Sequence, residues 1–227
     1  RQDPAEVETD SHRLMLRASL IHQVAAGVYA YMPLAYRSLK KIEQIIREEM
    51  DAAGGQEVHM PALHPLEIWH QAGRDAAMGQ ALFHLKDRRE REMVLAPTHE
   101  EVITQMVKSH VESYRDLPLT LYQIQTKFRD EPRPRAGLVR VREFDMKDAY
   151  SFDADEEGLE KSYKKMYDAY SRICEICELP YVAVQADPGV MGGNISHEFM
   201  VPSEIGEDEI VLCKCGYAAS TPVARCK

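Results

Sequence analysis

Between Tyr36 and Met50 the apolar residues Leu39, Ile42, Ile45, Ile46 and Met50 recur at helical spacing among Lys, Arg and Glu, which predicts an amphipathic helix. Ala53-Gly54-Gly55 supplies its stop, and a short strand, Glu57 to Met60, follows and is closed by Pro61. Residues Trp69 to Gly79 read as a loop or short helix. Ala81–Leu85 and Glu92–Ala96 read as a hairpin around the charged turn Lys86–Arg91. A second helix opens at Thr98 with Val102, Ile103, Met106, Val107 and Val111 on its stripe, and Thr98 with Glu101 has capping-box spacing. A third runs from about Asp155 to Cys177, with an acidic first turn and Tyr163, Tyr167 and Tyr170 on one face, a tyrosine stripe of the kind that more often packs than binds. Strands are expected over Tyr181–Ala186 and Glu209–Cys213, separated by the glycine-rich loop Pro188–Asn194 and the segment Ser196-His197-Glu198-Phe199.

The most informative pattern lies between these helices. Read as a strand, Leu121–Glu131 puts Tyr122, Ile124, Thr126 and Phe128 on one face and Gln123, Gln125, Lys127, Arg129 and Glu131 on the other. The second face is expected to meet something polar. After the turn Pro132-Arg-Pro-Arg-Ala-Gly137, a return strand sets Arg140, Arg142, Phe144, Met146 and Asp148 on a common side. Arginine forks suit phosphate or carboxylate oxygens, a glutamate accepts from an exocyclic amine, and a phenylalanine ring stacks on a base, so the set suits a nucleotide. On composition alone, a solvated hairpin with cross-strand ion pairs is an equal reading.

Composition narrows the classes. With 44% hydrophobic residues, 227 residues can bury a core, and Lys+Arg 28 against Asp+Glu 37 gives 28 − 37 = −9, so the chain as a whole is no basic nucleic-acid binder. No apolar run approaches a membrane span and the start is acidic and polar, which makes a cytoplasmic, membrane-free protein the expectation. The five cysteines are odd in number and unevenly spaced; a zinc knuckle from Cys213, Cys215 and Cys226 is the weaker reading beside free thiols. P-loop and dinucleotide fingerprints are absent, no nucleophile stands beside a base, and positioning with electrostatics is the chemistry left.

Phe128-Arg129-Asp130-Glu131, followed by Arg140, Phe144 and Asp148 at four-residue spacing, resembles motif 2 of the class II aminoacyl-tRNA synthetases. Ala96-Pro-Thr-His-Glu-Glu101, Tyr122–Glu131, Arg142–Phe152 and Gly192–Phe199 are similar to the bacterial-type prolyl-tRNA synthetase family, and the similarity extends over nearly all of the chain. The long helix, glycine, short strand and proline of residues 27–61 resemble motif 1, the dimer element of the class, although the family's glycine near Ala35 is missing.

The resemblance implies an α+β catalytic domain over 1–227, an antiparallel β-sheet flanked by helices, with motif 1 at about 27–61 and motif 2 at about 126–148. It implies a homodimer, and the substrates L-proline, ATP with Mg²⁺ bridging its phosphates, and tRNA(Pro). Carried over residue by residue, Arg129 and Arg140 are catalytic, and Arg129, Glu131, Arg140 and Phe144 bind ATP. Thr98, Glu100, Met146, His197 and Phe199 form the proline site, and no protein residue holds a metal. Motif 3, an editing insertion and an anticodon-binding domain are expected to be absent from this stretch. A catalytically inert paralogue or fragment serving as a dimeric binding or regulatory module is the alternative.

Overall fold

The structure is a computed structural model and describes residues 7, 9–189, 192–204 and 206–225. Two compact units divide the chain, Arg1–Ser162 and Tyr163–Lys227.

In the first unit, helix α1 (Asp10–Arg17) is capped by the Thr9 side chain and leads into a hairpin of β1 (Ile21–Ala25) and β2 (Val28–Tyr31). Helix α2 spans Pro33–Ala52. It starts three residues before the apolar periodicity does because Pro33, with its fixed φ and missing N–H, suits a first helical position. Met50 and Glu43 of α2 are buried, the latter gripped by Lys40 and Arg47, while Leu34, Tyr36 and Ile42 stay exposed. Strand β3 is only Gln56–Glu57, paired parallel to the later strand Leu119–Phe128, instead of the expected strand to Met60. Side chains take over the pairing: Met60 N–H donates to Gln123 Oε1 at 3.1 Å, and Gln125 Nε2 donates to the Met60 carbonyl at 2.7 Å.

Strand β4 (Leu63–Pro65) and helices α3 (Leu66–Ala72) and α4 (Asp75–Met78) follow, then the expected hairpin of β5 (Phe83–Lys86) and β6 (Glu92–Leu95). Trp69 of α3 is fully buried in a cluster with Leu66, Leu82 and Val94. Helix α5 (Glu100–His110) packs Ile103 and Val107 on Met60 and Leu121, with Val102, Met106 and Val111 at the margin, as its stripe predicts. The long hairpin of β7 (Leu119–Phe128) and β8 (Glu143–Phe152) completes the unit in antiparallel register, with Gln123 opposite Asp148, Gln125 opposite Met146 and Lys127 opposite Phe144. Arg129–Glu131 lie just past β7, and Arg140 and Arg142 just before β8, so the charged tip is turn and not strand. Arg140 is held there by an isolated bridge to Arg135.

Helix α6 (Glu156–Ile176) contains the dividing point of the two units. The second unit holds a four-stranded sheet in the order β10 (His197–Met200), β9 (Val182–Gln185), β12 (Ala218–Ser220), β11 (Ile210–Leu212). Only the contact of β9 with β12 is parallel. Neither β10 nor β12 has the alternation that would mark it in advance. The loop Pro188–Asn194 includes positions outside the described residues.

Candidate active site

The face carrying Gln123 and Lys127 looks outward-facing by composition, yet both residues have zero exposure. Their charge and hydrogen-bonding capacity are met inside. Lys127 Nζ pairs with Asp148 Oδ1 at 2.9 Å and donates to His99 Nδ1. Asp148 Oδ2 accepts from Gln123 Nε2 at 3.0 Å and from the Tyr150 hydroxyl, and that hydroxyl accepts from His99 N–H at 3.2 Å. His99 Nε2 donates to the Pro61 carbonyl at 3.0 Å, which fixes the neutral tautomer whose Nδ1 accepts from the lysine. His64 donates to the same carbonyl at 2.9 Å. Burial, reinforced for His99 by the Lys127 charge, brings both imidazoles from 6.5 down to about 4. Burial also lowers Lys127, against the pull of Asp148.

This network ends where the candidate ligand groups begin. Phe128 N–H donates to the Ala96 carbonyl at 2.9 Å, which brings segment 96–101 alongside the end of β7. Arg129 stands half-buried there, its guanidinium 5.3 Å from the centre of the Phe144 ring and its Nε buried without a hydrogen-bond partner among the described residues. Burial lowers the Arg129 pKa while the Glu100 and Glu131 carboxylates oppose that shift. Glu131 meets Arg140 at 3.3 Å, and Arg142 Nε donates to the Glu131 carbonyl at 3.0 Å. All four expected nucleotide residues are thus in contact as two pairs: Arg129 with Phe144, and Glu131 with Arg140 at the rim.

Thr98 and Glu101 do not form a capping box. The N-cap is His99, without a side-chain bond, because its imidazole is committed to Pro61 and Lys127. Thr98 is buried and its hydroxyl donates to Glu100 Oε2 at 2.6 Å. Arg74 bridges Glu100 at 3.1 Å and Glu101 at 2.9 Å, and burial raises the Glu101 carboxyl. Arg74 escaped sequence reasoning, since nothing in its local pattern points 26 residues ahead; only its charge beside two uncapped glutamates was a signal. Met146 sits on the same face of β8 as Phe144 and Asp148, half-buried.

In the second unit, His197 and Phe199 of β10 pack on the tyrosines of α6. His197 Nδ1 bonds the Tyr163 hydroxyl at 2.8 Å, and the Phe199 ring lies 5.2 Å from Tyr167. These side chains, with Tyr170, Met166 and Ile195, line a cavity of about 190 Å³, so the tyrosine stripe is cavity wall as well as packing surface.

The N-terminal ribbon supports the charged tip. Arg142 N–H donates to the Gly27 carbonyl at 2.8 Å; Gly27 has φ +72°, and a Cβ there would sit 2.8 Å from Pro134. Gly137, φ +67°, lies against buried His12, where a Cβ would sit 2.9 Å from the ring.

The site is thus a half-buried arginine over an aromatic ring, at the end of a hairpin and close to a threonine–glutamate pair. Residues 83–220 match the sequence profile of the tRNA synthetase class II core domain (G, H, P, S and T), and the chain belongs to this family. Curated relatives described as proline–tRNA ligases include those of Caldicellulosiruptor saccharolyticus, 60% identical over all of this chain and 40% of that protein, and of Dehalococcoides mccartyi, 58% identical over 99% of this chain and 40% of that protein. The chain therefore spans about two fifths of the length of these relatives. Among solved structures, a Giardia lamblia prolyl-tRNA synthetase in complex with prolyl-adenylate aligns with TM-score 0.71 at 22% identity, over 76% of this chain and 36% of that one, a likeness of fold alone. The RNA binding domain of a threonyl-tRNA synthetase from Cryptosporidium parvum aligns with TM-score 0.71 at 26% identity, over 79% and 45%.

Among the described residues, no helix is long and apolar enough to cross a membrane and no group of three His, Cys, Asp or Glu is placed to hold a metal ion. Cys226 of the possible zinc knuckle lies outside the described residues. The rim carboxylate Glu131 is already engaged by Arg140, so it does not offer a Mg²⁺ site.

Proposed function

We propose that this chain is the front part of the catalytic domain of a prolyl-tRNA synthetase, which activates L-proline with ATP and transfers it to tRNA(Pro). The observation that carries the reading is Arg129: a guanidinium in a half-buried site, with an unpartnered Nε, stacked on Phe144 and facing Glu100. A buried donor left unpaired is costly, and a ligand oxygen would satisfy it. The proline carboxylate attacks the α-phosphate, giving prolyl-adenylate and pyrophosphate, and Arg129 stabilises the charge that develops between them. Phe144 stacks on adenine, Glu131 accepts from its amine, and Arg140, freed from Glu131, meets the β- and γ-phosphates.

Glu100, oriented by Thr98 and Arg74, accepts from the proline ammonium, and Met146 supplies an apolar wall from β8. The exposed Leu34, Tyr36 and Ile42 on α2 support a homodimer through the motif 1 elements. A cytoplasmic location belongs to the same proposal.

The test is pyrophosphate exchange by the full-length protein with each amino acid in turn. Exchange should depend on proline, and Glu100→Gln should raise the KM for proline about tenfold or more while leaving that for ATP near its starting value, as expected for loss of a charge-assisted bond worth about 1.5–3 kcal/mol. Exchange driven equally by unrelated amino acids, or equal KM losses for both substrates, would overturn the assignment.

A further inference from the structure

The turn between β11 and β12 carries two thiols that the adenylate chemistry leaves unused. Cys213 N–H donates to the Tyr217 carbonyl at 2.8 Å and Gly216 N–H to the Cys213 carbonyl at 3.0 Å, with Gly216 at φ +92°. This is a tight hairpin turn closed by a left-handed glycine. The turn folds Cys215 back over Cys213. Their Sγ atoms stand 2.9 Å apart, both residues are exposed, and Cys215 N–H points at Cys213 Sγ from 3.5 Å.

The sulfur spacing discriminates between two fates of a thiol pair. Two thiolates on one tetrahedral zinc ion, each bond ~2.3 Å, sit about 3.8 Å apart, whereas a disulfide closes to ~2.05 Å. The observed separation falls inside the zinc distance, and the local backbone supplies no third ligand among the described residues. The chain's other described thiols are built differently: Cys174 is half-buried on α6, and burial raises its pKa. In the turn, the Cys213 thiol and the backbone N–H of Tyr217 hold the Cys215 thiol below its ordinary range, which favours the nucleophilic form.

We propose that Cys213 and Cys215 form a redox-active dithiol that exchanges with low-molecular-weight disulfides and closes to an intramolecular Cys213–Cys215 disulfide. With glutathione disulfide as oxidant, the Cys215 thiolate attacks one sulfur, forming a Cys215–glutathione mixed disulfide and expelling one glutathione thiolate. Cys213 then attacks Cys215 Sγ, forming the internal bond and expelling the second. The two protons of the protein thiols pass to the two leaving thiolates, and the two electrons end on glutathione, so one disulfide is made and one consumed. The spacing makes the second step fast, because the resolving thiol is already at the attacked sulfur.

Full-length protein is incubated with glutathione disulfide, blocked with an alkylating agent and digested with trypsin without reduction. Trypsin cuts after Lys214, so the internal disulfide leaves peptides 173–214 and 215–225 covalently joined, and a reductant separates them. The expected result is this joined pair without glutathione, with both thiols of the turn lost to alkylation. In Cys213→Ser the joined pair should vanish and glutathione should remain trapped on Cys215. Stable glutathione adducts on the unmodified turn, full alkylation of both cysteines, or a joined pair persisting in Cys213→Ser through Cys174 or Cys177 would each overturn the proposal.

Discussion

The β7–β8 hairpin is charged and polar both in its middle and at its tip, and the two regions are in opposite physical states. Halfway along it, Gln123, Lys127, Asp148 and Tyr150 form a closed set whose charges cancel inside the protein, with His99 as the additional partner. At the tip, Arg140 and Glu131 meet at 3.3 Å with the arginine side chain 45% exposed, and Arg129 keeps a buried nitrogen unpaired. Charge in the middle is buried and internally paired; charge at the tip lies at a solvent-exposed rim, with Arg129 Nε the buried exception. Cation–carboxylate pairs on one hairpin therefore differ in what they contribute according to their depth.

Removing the cation from the middle should have the largest effect. Lys127→Met leaves Asp148 buried without its counter-ion and should cost about 3–5 kcal/mol, read as a lower urea midpoint at unchanged m-value, with partial recovery in Lys127→Met/Asp148→Asn. A single variant as stable as the parent would break the contrast. At the tip the expectation reverses: Arg129→Ala should keep its urea midpoint and lose roughly 10²–10³ in proline-dependent pyrophosphate exchange. Near-normal exchange by that variant would remove Arg129 from the chemistry.

Acid should reach the middle first. His64 and His99 titrate at 6.5 when unfolded and about 4 when folded, so between those values the unfolded chain binds the extra protons. Stability conferred by the neutral imidazoles is full above pH 6.5 and falls as pH drops towards 4, by on the order of 2–3 kcal/mol per histidine. Urea midpoints measured across that window should decline, and more shallowly in His99→Asn. The smallest effect belongs to the rim: Arg140→Ala should change stability by less than about 1 kcal/mol, since the pair it breaks is solvent-screened. A larger loss would mean that the tip is built like the middle.

Much of this arrangement was legible beforehand. Alternation along 121–131 and 140–148 places Gln123, Lys127, Phe144 and Asp148 on one side of a hairpin, and the register bears that out, although the strands stop short of Arg129 and Arg140. Helix α5 carries its apolar stripe as written. Polarity, however, misleads about depth: Gln123 and Lys127 look solvated because their partners arrive from β8 and from a histidine 28 residues earlier. Thr98 and Glu101 have the spacing of a cap but not its function, since Glu100 takes the Thr98 hydroxyl and Arg74 takes the Glu101 carboxylate. Strand β3 ends early for a related reason, with two glutamine amides of β7 replacing backbone pairing. Long-range side-chain bonds are the common cause, and no local pattern encodes them.

The docking of Gly27 and His12 on the charged tip bears on modularity. The core-domain profile begins at residue 83, yet the floor under Pro134, Gly137 and Arg142 is supplied by residues 12–29, upstream of that profile although inside the stretch shared with the curated relatives. A piece cut at residue 83 would carry Arg129, Glu131, Arg140 and Phe144 and lose the ribbon that supports their turn. The core-domain profile is thus smaller than the mechanical unit, and moving this hairpin into another scaffold requires the ribbon to travel with it.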